Sequence, residues 1–326
     1  MDLRSVAGAI APVGGRTQWE IGGPPPGDAV EVRAPVGIIE WEPDDLTVTV
    51  GAGTAFAGLD AELATRGQEV ALDPADERAT VGGILACGCS GPRRLRLGPV
   101  RDQVLQVWVA LADGRTVRGG GPTVKNVTGY DLPRLLVGSF GTLGLIERVT
   151  LRCRPRPEVS QWFTTDRGSE CFRPAARLSD GGIEAVLLEG RRVDVEAQAR
   201  DLGLVATAEP PPTPTGVHRG RVSMDPELLP AFLGCLPNEV RYRAEPGVGT
   251  VLVAGDDPDA LRAVRATARA FAGWMLREAG LPGDDGFGTA LPVATLAARI
   301  KNAFDPEGRM NPGRLPLAPP PRTVAS

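Results

Sequence analysis

The sequence predicts an α+β protein in two domains, and three observations lead there. The chain has 326 residues, enough for two domains or for one with a large insertion. Short strand signals alternate with helix signals, separated by tight turns. The composition then changes at Arg154-Pro-Arg-Pro157, where two prolines set between charges suit a domain boundary.

The elements follow in order. Leu46-Thr-Val-Thr-Val50 alternates strictly and meets Gly51-Ala-Gly53, which reads as a half-buried strand ending in a tight turn. Thr54 is placed to N-cap a helix over 56–66, with Gly67 at its C′ position. The run 104–111, the pair Asp113-Gly114 and then Thr116-Val117 read as a hairpin. Residues 145–152 form another strand. Past the boundary come short elements at 183–188, 221–223, 226–236, 241–245 and 250–254, with a Pro-rich surface loop at 209–216. Asp257-Pro258 opens a helix with Asp at N-cap and Pro at N1. Its apolar face runs Leu261, Val264, Ala268, Phe271, Met275, as expected of a helix packed on a sheet. A last helix spans 293–303, and the Pro-rich tail is expected to be disordered.

The totals exclude several classes. Net charge is −4, so no basic footprint for nucleic acid exists. Hydrophobic residues at 42% and charged residues at 23% are ordinary for a soluble protein. No apolar run reaches the length of a membrane span, and MDLRSVAGAIAPVGG has no signal-peptide core, so a cytoplasmic protein is expected. Five cysteines in a long chain do not make a disulfide framework. Cys87-Gly-Cys89 lacks further ligands for a cluster or a closed zinc site, and reads as two small buried residues. No metal site is expected.

Three segments carry chemistry. In Val13-Gly14-Gly15-Arg16-Thr17 the paired glycines let backbone N–H groups close around an anion such as a pyrophosphate, although paired glycines also serve plain turns. In the second, Thr80, Val81, Gly82, Gly83, Ser90, Gly91 and Arg101 stand in a stretch of small residues, hydroxyls and arginines that includes Arg93 and Arg94. Such a stretch lets a flat or charged group lie against backbone, with donors for phosphate oxygens. The third runs Lys125-Asn-Val-Thr-Gly-Tyr-Asp131 and then Gly138-Ser-Phe-Gly-Thr-Leu-Gly144. Lys125 offers a cation, Asn126 an amide and Tyr130 a ring with a hydroxyl. Gly129, Gly141 and Gly144 permit close backbone approach.

In this order the segments resemble the FAD-binding domain of the vanillyl-alcohol-oxidase (PCMH-type) family. Within it they are most similar to the subunits of bacterial glycolate oxidase. Catalytic D-type subunits of that group usually carry Glu where Phe140 stands, and the FAD-binding E-type subunit carries Phe. Ser90-Gly-Pro-Arg-Arg94 and the closing Phe304-Asp-Pro-Glu-Gly-Arg-Met-Asn-Pro-Gly-Arg314 also look like the E-type. The resemblance implies a two-lobed α+β FAD domain over 1–155, a smaller α+β cap over 156–293, a return to the FAD domain over 294–316 and a tail over 317–326. It implies that Gly14, Gly15, Arg16 and Thr17 hold the pyrophosphate with Thr80, Gly82, Gly83 and Ser90, and that Val81, Gly91 and Arg101 also bind the cofactor. Thr142, Gly141, Gly144 and Ile146 would lie along the cofactor, Ile146 through its backbone at the adenine end. Lys125, Asn126, Gly129, Tyr130, Asn311 and Arg314 would stand nearest the ring, with Lys125 or Arg314 as the cation near flavin N1.

Departures from the family sharpen the expectation. The one histidine, His218, reads as solvated in a loop, and it cannot supply the histidine cluster with which catalytic relatives bind a metal and position a hydroxy acid. Nor does a histidine stand in the phosphate loop, so FAD is expected to be non-covalent. Only about a dozen residues precede that loop, where the family carries a strand and most of a helix. Asp2–Ala9 reads as the end of that helix, in a first lobe either trimmed or begun upstream of Met1. The resemblance therefore implies an accessory FAD subunit of a glycolate-oxidase-like complex. Its partners would be a D-type catalytic flavin subunit and an iron–sulfur subunit, with attachment at the inner membrane through them. The chain's own catalytic residues are not identified. Two readings stay open beside it: an autonomous FAD-dependent oxidoreductase, and a structural subunit that has lost FAD.

Overall fold

The computed structural model describes residues 3–121, 131–166, 170–281, 283–288 and 293–314. The chain divides into two compact units. One comprises Met1–Ser90, Pro99–Pro155 and Ala290–Ser326, and the other Gly91–Gly98 and Arg156–Thr289.

In the first unit β1 (Ile10–Pro12) and β2 (Val30–Val32) form a small parallel sheet. A five-stranded sheet follows: β3 (Ile38–Glu42), β4 (Thr47–Gly51), β6 (Val104–Ala110), β7 (Thr116–Gly120) and β8 (Leu145–Arg152), ordered β3-β4-β8-β6-β7 and antiparallel throughout. A short ladder pairs β5 (Gln68–Glu69) with β9 (Arg154–Pro155). Four helices belong to this unit: α1 (Phe56–Ala64), α2 (Val81–Cys87), α4 (Leu132–Leu136) and α8 (Ala294–Phe304). Val48, Leu59, Leu63, Ile84, Leu85, Val107, Val149 and Leu151 make its main core, with Ile300 and Phe304 of α8 packed on it.

Three local expectations are corrected here. Strand β4 is not half-buried: it lies between β3 and β8, and Thr49 on its polar face is buried against Thr150, their hydroxyls 2.9 Å apart. Thr54 does not cap α1. Its hydroxyl donates to the Gly51 carbonyl at 2.6 Å and accepts the Gly37 N–H at 2.8 Å, a tertiary tie that outcompetes the local cap, and Ala55 takes the N-cap place. The stretch read as a helix end before β1 carries only a 3-10 turn, Leu3–Ser5, and Gly8 leaves helical space at φ 74°.

The second unit is built on an eight-stranded antiparallel sheet with α3 (Arg94–Leu97) beside it. Its strands are β10 (Val159–Thr164), β11 (Ala176–Ser179), β12 (Glu184–Gly190), β13 (Val205–Thr207), β14 (His218–Ser223), β15 (Arg241–Glu245), β16 (Thr250–Gly255) and β17 (Trp274–Ala279). The order is β13-β10-β12-β11-β15-β16-β14-β17. Helices α5 (Arg192–Leu202) and α7 (Pro258–Ala270) pack on it, and α6 (Leu229–Leu233) completes the core through Leu229 and Phe232. Leu261, Val264 and Ala268 of α7 are fully buried. Phe271 closes that helix, whereas Met275, expected on the same face, belongs to β17 because the chain turns first at Ala272, φ 55°. Asp257 caps α7 by accepting the Asp259 N–H at 2.9 Å. Asp257→Ala is expected to cost about 1 kcal/mol in urea denaturation, the usual worth of such a cap.

His218 is not solvated. It opens β14 at 8% exposure, and its Nδ1 accepts the Leu281 N–H at 2.9 Å. Of the two cysteines read as buried, Cys87 is, and Cys89 is only half-buried; neither forms a disulfide.

Candidate FAD site

A cleft in the first unit gathers parts far apart in sequence. Its walls are the loop between β1 and β2, the start of α2, the turn at 140–141 and the segment 311–314.

The glycines of the β1–β2 loop are required by closeness of backbone. A Cβ on Gly14 would stand 2.1 Å from the Thr80 hydroxyl oxygen, and one on Gly15 would stand 1.8 Å from the Arg78 carbonyl oxygen. The loop therefore lies directly on the segment leading into α2. Arg33 holds it from the other side, donating to the Gly14 carbonyl at 3.0 Å. Thr80 N-caps α2, its hydroxyl oxygen accepting the Gly83 N–H at 3.2 Å, which leaves the hydroxyl hydrogen for another acceptor.

A stack of side chains continues the wall. Arg16, at φ 58°, pairs with Glu31, and its guanidinium carbon lies 4.6 Å from the centre of the Trp19 ring. The guanidinium carbon of Arg314 lies 5.3 Å from the same centre. Arg314 is only 4% exposed. Its two terminal nitrogens donate to the carbonyls of Trp19 (2.6 Å) and Ile21 (3.3 Å), while Nε is buried with no partner. Burial pushes its guanidinium below the ordinary value, but an arginine stays a cation in a folded protein. Among the described residues no carboxylate pairs with it.

Asn311 completes the wall. Its amide nitrogen donates to the Phe140 carbonyl at 2.6 Å, and its amide oxygen is buried without a partner. Buried donors and acceptors left open cost about 1–3 kcal/mol each, so such a pair on one cleft wall points to a ligand presenting both an acceptor and a donor. A flavin with its ribityl chain and pyrophosphate is such a ligand. Phe140 itself is buried at φ 53° and lines the cleft.

The cleft thus brings together Gly14, Gly15, Arg16, Thr17, Thr80, Gly83, Gly141, Asn311 and Arg314. Several other expected residues stand outside it. Val81 is in the core, and Gly82 packs on Ala52. Ser90 accepts the Val100 N–H at 3.1 Å, Gly91 belongs to the second unit, and Arg101 is exposed beside Asp102. Thr142 donates to the Ser139 carbonyl at 2.6 Å, Gly144 abuts Val109, and Ile146 pairs with Val109 in the sheet. Lys125, Asn126, Gly129 and Tyr130 lie outside the described residues. Sequence reasoning missed Trp19, whose only local signal is an aromatic three residues after Arg16, and Cys87, a lining residue read as core. Among the described residues no group of three or more His, Cys, Asp or Glu could hold a metal, and no helix is long and apolar enough to cross a membrane.

Comparison with known proteins bears on the same region. Residues 6–120 match the family model described as FAD binding domain. The chain carries an FAD-binding domain. Glycolate oxidase subunit GlcE of Escherichia coli K12 is 40% identical over 149 residues, which are 45% of this chain and 43% of that protein. D-lactate dehydrogenase of Archaeoglobus fulgidus is 41% identical over 118 residues (36% and 27%), and glycolate oxidase subunit GlcD of Bacillus subtilis 36% over 125 residues (38% and 27%). The chain thus spans less than half the length of these relatives. A solved structure of alkyldihydroxyacetonephosphate synthase superposes on 93% of this chain and 72% of its own, with a TM-score of 0.65 at 14% identity. The fold is α+β, of the PCMH type.

Proposed function

We propose that this chain is the accessory flavin subunit of a glycolate-oxidase-like complex that oxidises 2-hydroxy acids. In this reading it holds FAD non-covalently and forms the interface to a D-type catalytic flavin subunit and an iron–sulfur subunit. It works in the cytoplasm, attached peripherally at the inner membrane through those partners. The observation that carries the cofactor side is Arg314: a buried cation with one N–H unspent, on the wall of a cleft lined by glycine backbone. Bound FAD would supply the redox chemistry. Gly14 to Thr17 with Thr80 would hold its pyrophosphate, and Asn311 and Arg314 its flavin end. A buried cation there favours the reduced, more negative flavin.

The accessory role, as against self-sufficient catalysis, is supported by two features. A phenylalanine, Phe140, lines the cleft at the position where catalytic relatives are expected to carry a glutamate, and one histidine cannot form their metal cluster. The likeness to subunits named GlcE and GlcD supports the partners.

The test is purification of the chain alone and with its neighbours. The lone protein is expected to be yellow, to lose its colour to the supernatant on acid precipitation, and to leave glycolate and lactate untouched until co-expressed with partners. Colour retained in the pellet would refute non-covalent binding. A colourless protein would favour a purely structural subunit, and turnover by the lone chain an autonomous oxidoreductase.

A further inference from the structure

The wall formed by Asn311 and Arg314 comes from the end of the described chain, and something must hold it against the rest of the cleft. The segment pairs with β1: Ile10 N–H donates to the Arg309 carbonyl and Asn311 N–H to the Ile10 carbonyl, both at 2.8 Å. That fixes the backbone at Asn311, which sits at φ 43°. The turn at 140–141 comes from a different stretch of chain, and Asn311 reaches it through its amide alone, at the Phe140 carbonyl. A second side chain ties the two segments together.

Lys301, on α8, is largely buried. Its ammonium donates to the Thr142 carbonyl at 2.6 Å and to the Met310 carbonyl at 3.1 Å, and it also meets the Asp305 carboxylate. Asp305 is 0% exposed. Its two oxygens accept the N–H groups of Arg309 (3.0 Å) and Met310 (2.7 Å). Thr142 closes the turn that carries Phe140 and Gly141, and Met310 directly precedes Asn311. A buried cation and a buried anion, each fully engaged, thus tie the two cleft walls to one helix. Breaking one partner of such a pair strands the other in the interior, which is costly.

We infer that Lys301 and Asp305 are positioning residues for the cofactor: they are not among the residues that line the cleft, and together with the Asn311–Phe140 hydrogen bond they hold its 140–141 wall against its 311–314 wall. The inference rests on the reading of this cleft as the FAD site. Loss of the ammonium removes charged hydrogen bonds to both walls, so it is expected to weaken FAD binding by about ten-fold or more.

The experiment uses the full chain stripped of flavin and titrated with FAD, followed by quenching of flavin fluorescence. Lys301→Met is expected to raise Kd by about ten-fold or more, and Lys301→Arg, which keeps a cation and several donors, to return it to within about three-fold of wild type. Leu59→Ala opens a cavity in the core under α1; it should lower the melting temperature and leave Kd alone, which separates positioning from general loosening. If Lys301→Met does not fold, Asp305→Asn, equal in size, is read in the same way. A folded variant with the wild-type Kd overturns the inference, and so does an equal rise in Leu59→Ala. A wild-type chain that takes up no FAD sinks the cofactor reading, and the inference with it, before any variant is made.

Discussion

Gly15→Ala is expected to give a protein that is colourless as purified and less stable by about 3 kcal/mol, the upper range for overpacking a rigid site. The new Cβ would fall 1.8 Å from the Arg78 carbonyl oxygen and 2.7 Å from its carbon. Both atoms are backbone, so no side-chain rotation relieves the clash. Arg78 cannot easily retreat either, because its N–H and guanidinium are bound to Asp76. The β1–β2 loop must therefore lift off the entry to α2, which pulls Gly14 from Thr80 and Trp19 from Arg314. A second variant calibrates the first. A Cβ on Gly58, in the first turn of α1, meets nothing within 4 Å. Gly58→Ala should stabilise by about 0.5–1 kcal/mol and keep its flavin. Flavin content by absorbance and stability by urea titration decide the matter. A yellow Gly15→Ala protein of wild-type stability would mean that the loop does not lie on Arg78.

What the sequence disclosed, and what it hid, divides by range of interaction. The helix opened by Asp257-Pro258 and the hairpin of β6 and β7 depend on neighbours in the chain, and both stand where local chemistry puts them. The glycine pair at 14–15 was visible as a candidate phosphate loop, but its structural cause, contact with Arg78 and Thr80, needs the fold. Thr54 looks like a cap until Gly37 competes for its hydroxyl. His218 looks solvated until Leu281 reaches it. Lys301 carries no local signal in the sequence; only the carbonyls of Thr142 and Met310 show that it is engaged. The stack of Arg16, Trp19 and Arg314 joins residues nearly three hundred apart in the chain, and no spacing rule reaches that far. The cofactor was therefore legible from its glycines, and the machinery that holds its cleft closed was not.

The second unit carries the other large effect, a stability that falls as pH rises through neutrality. Glu245 ends β15 and is 4% exposed. Its neighbour Ala244 points into the core beneath α7, so Glu245 and Arg243 share the opposite face of the sheet. Burial pushes the Glu245 carboxyl up to about 7, against the pull of Arg243, Arg94 and Arg221, with desolvation the larger effect. Arg221 is itself engaged with Glu278 at 3.6 Å, and Arg243 donates to the Thr213 hydroxyl at 2.8 Å, so both are shared with other acceptors. In the unfolded chain the carboxyl titrates near its ordinary 4.5. Between these two values the folded state holds the proton and the unfolded state has released it, so each step up in pH favours unfolding. The stabilisation from this group is complete below about pH 4.5 and is lost as pH rises through about 7. The shift corresponds to about 3 kcal/mol between the two limits. Glu245→Gln keeps the size of the side chain and cannot titrate. Urea denaturation of both proteins at pH 5, 6, 7 and 8 should therefore show the wild type losing about 2.5 kcal/mol relative to the variant across the series. A difference that stays flat would place the Glu245 carboxylate in contact with water or fully neutralised by its arginines, and would remove the buried proton from the account of this sheet.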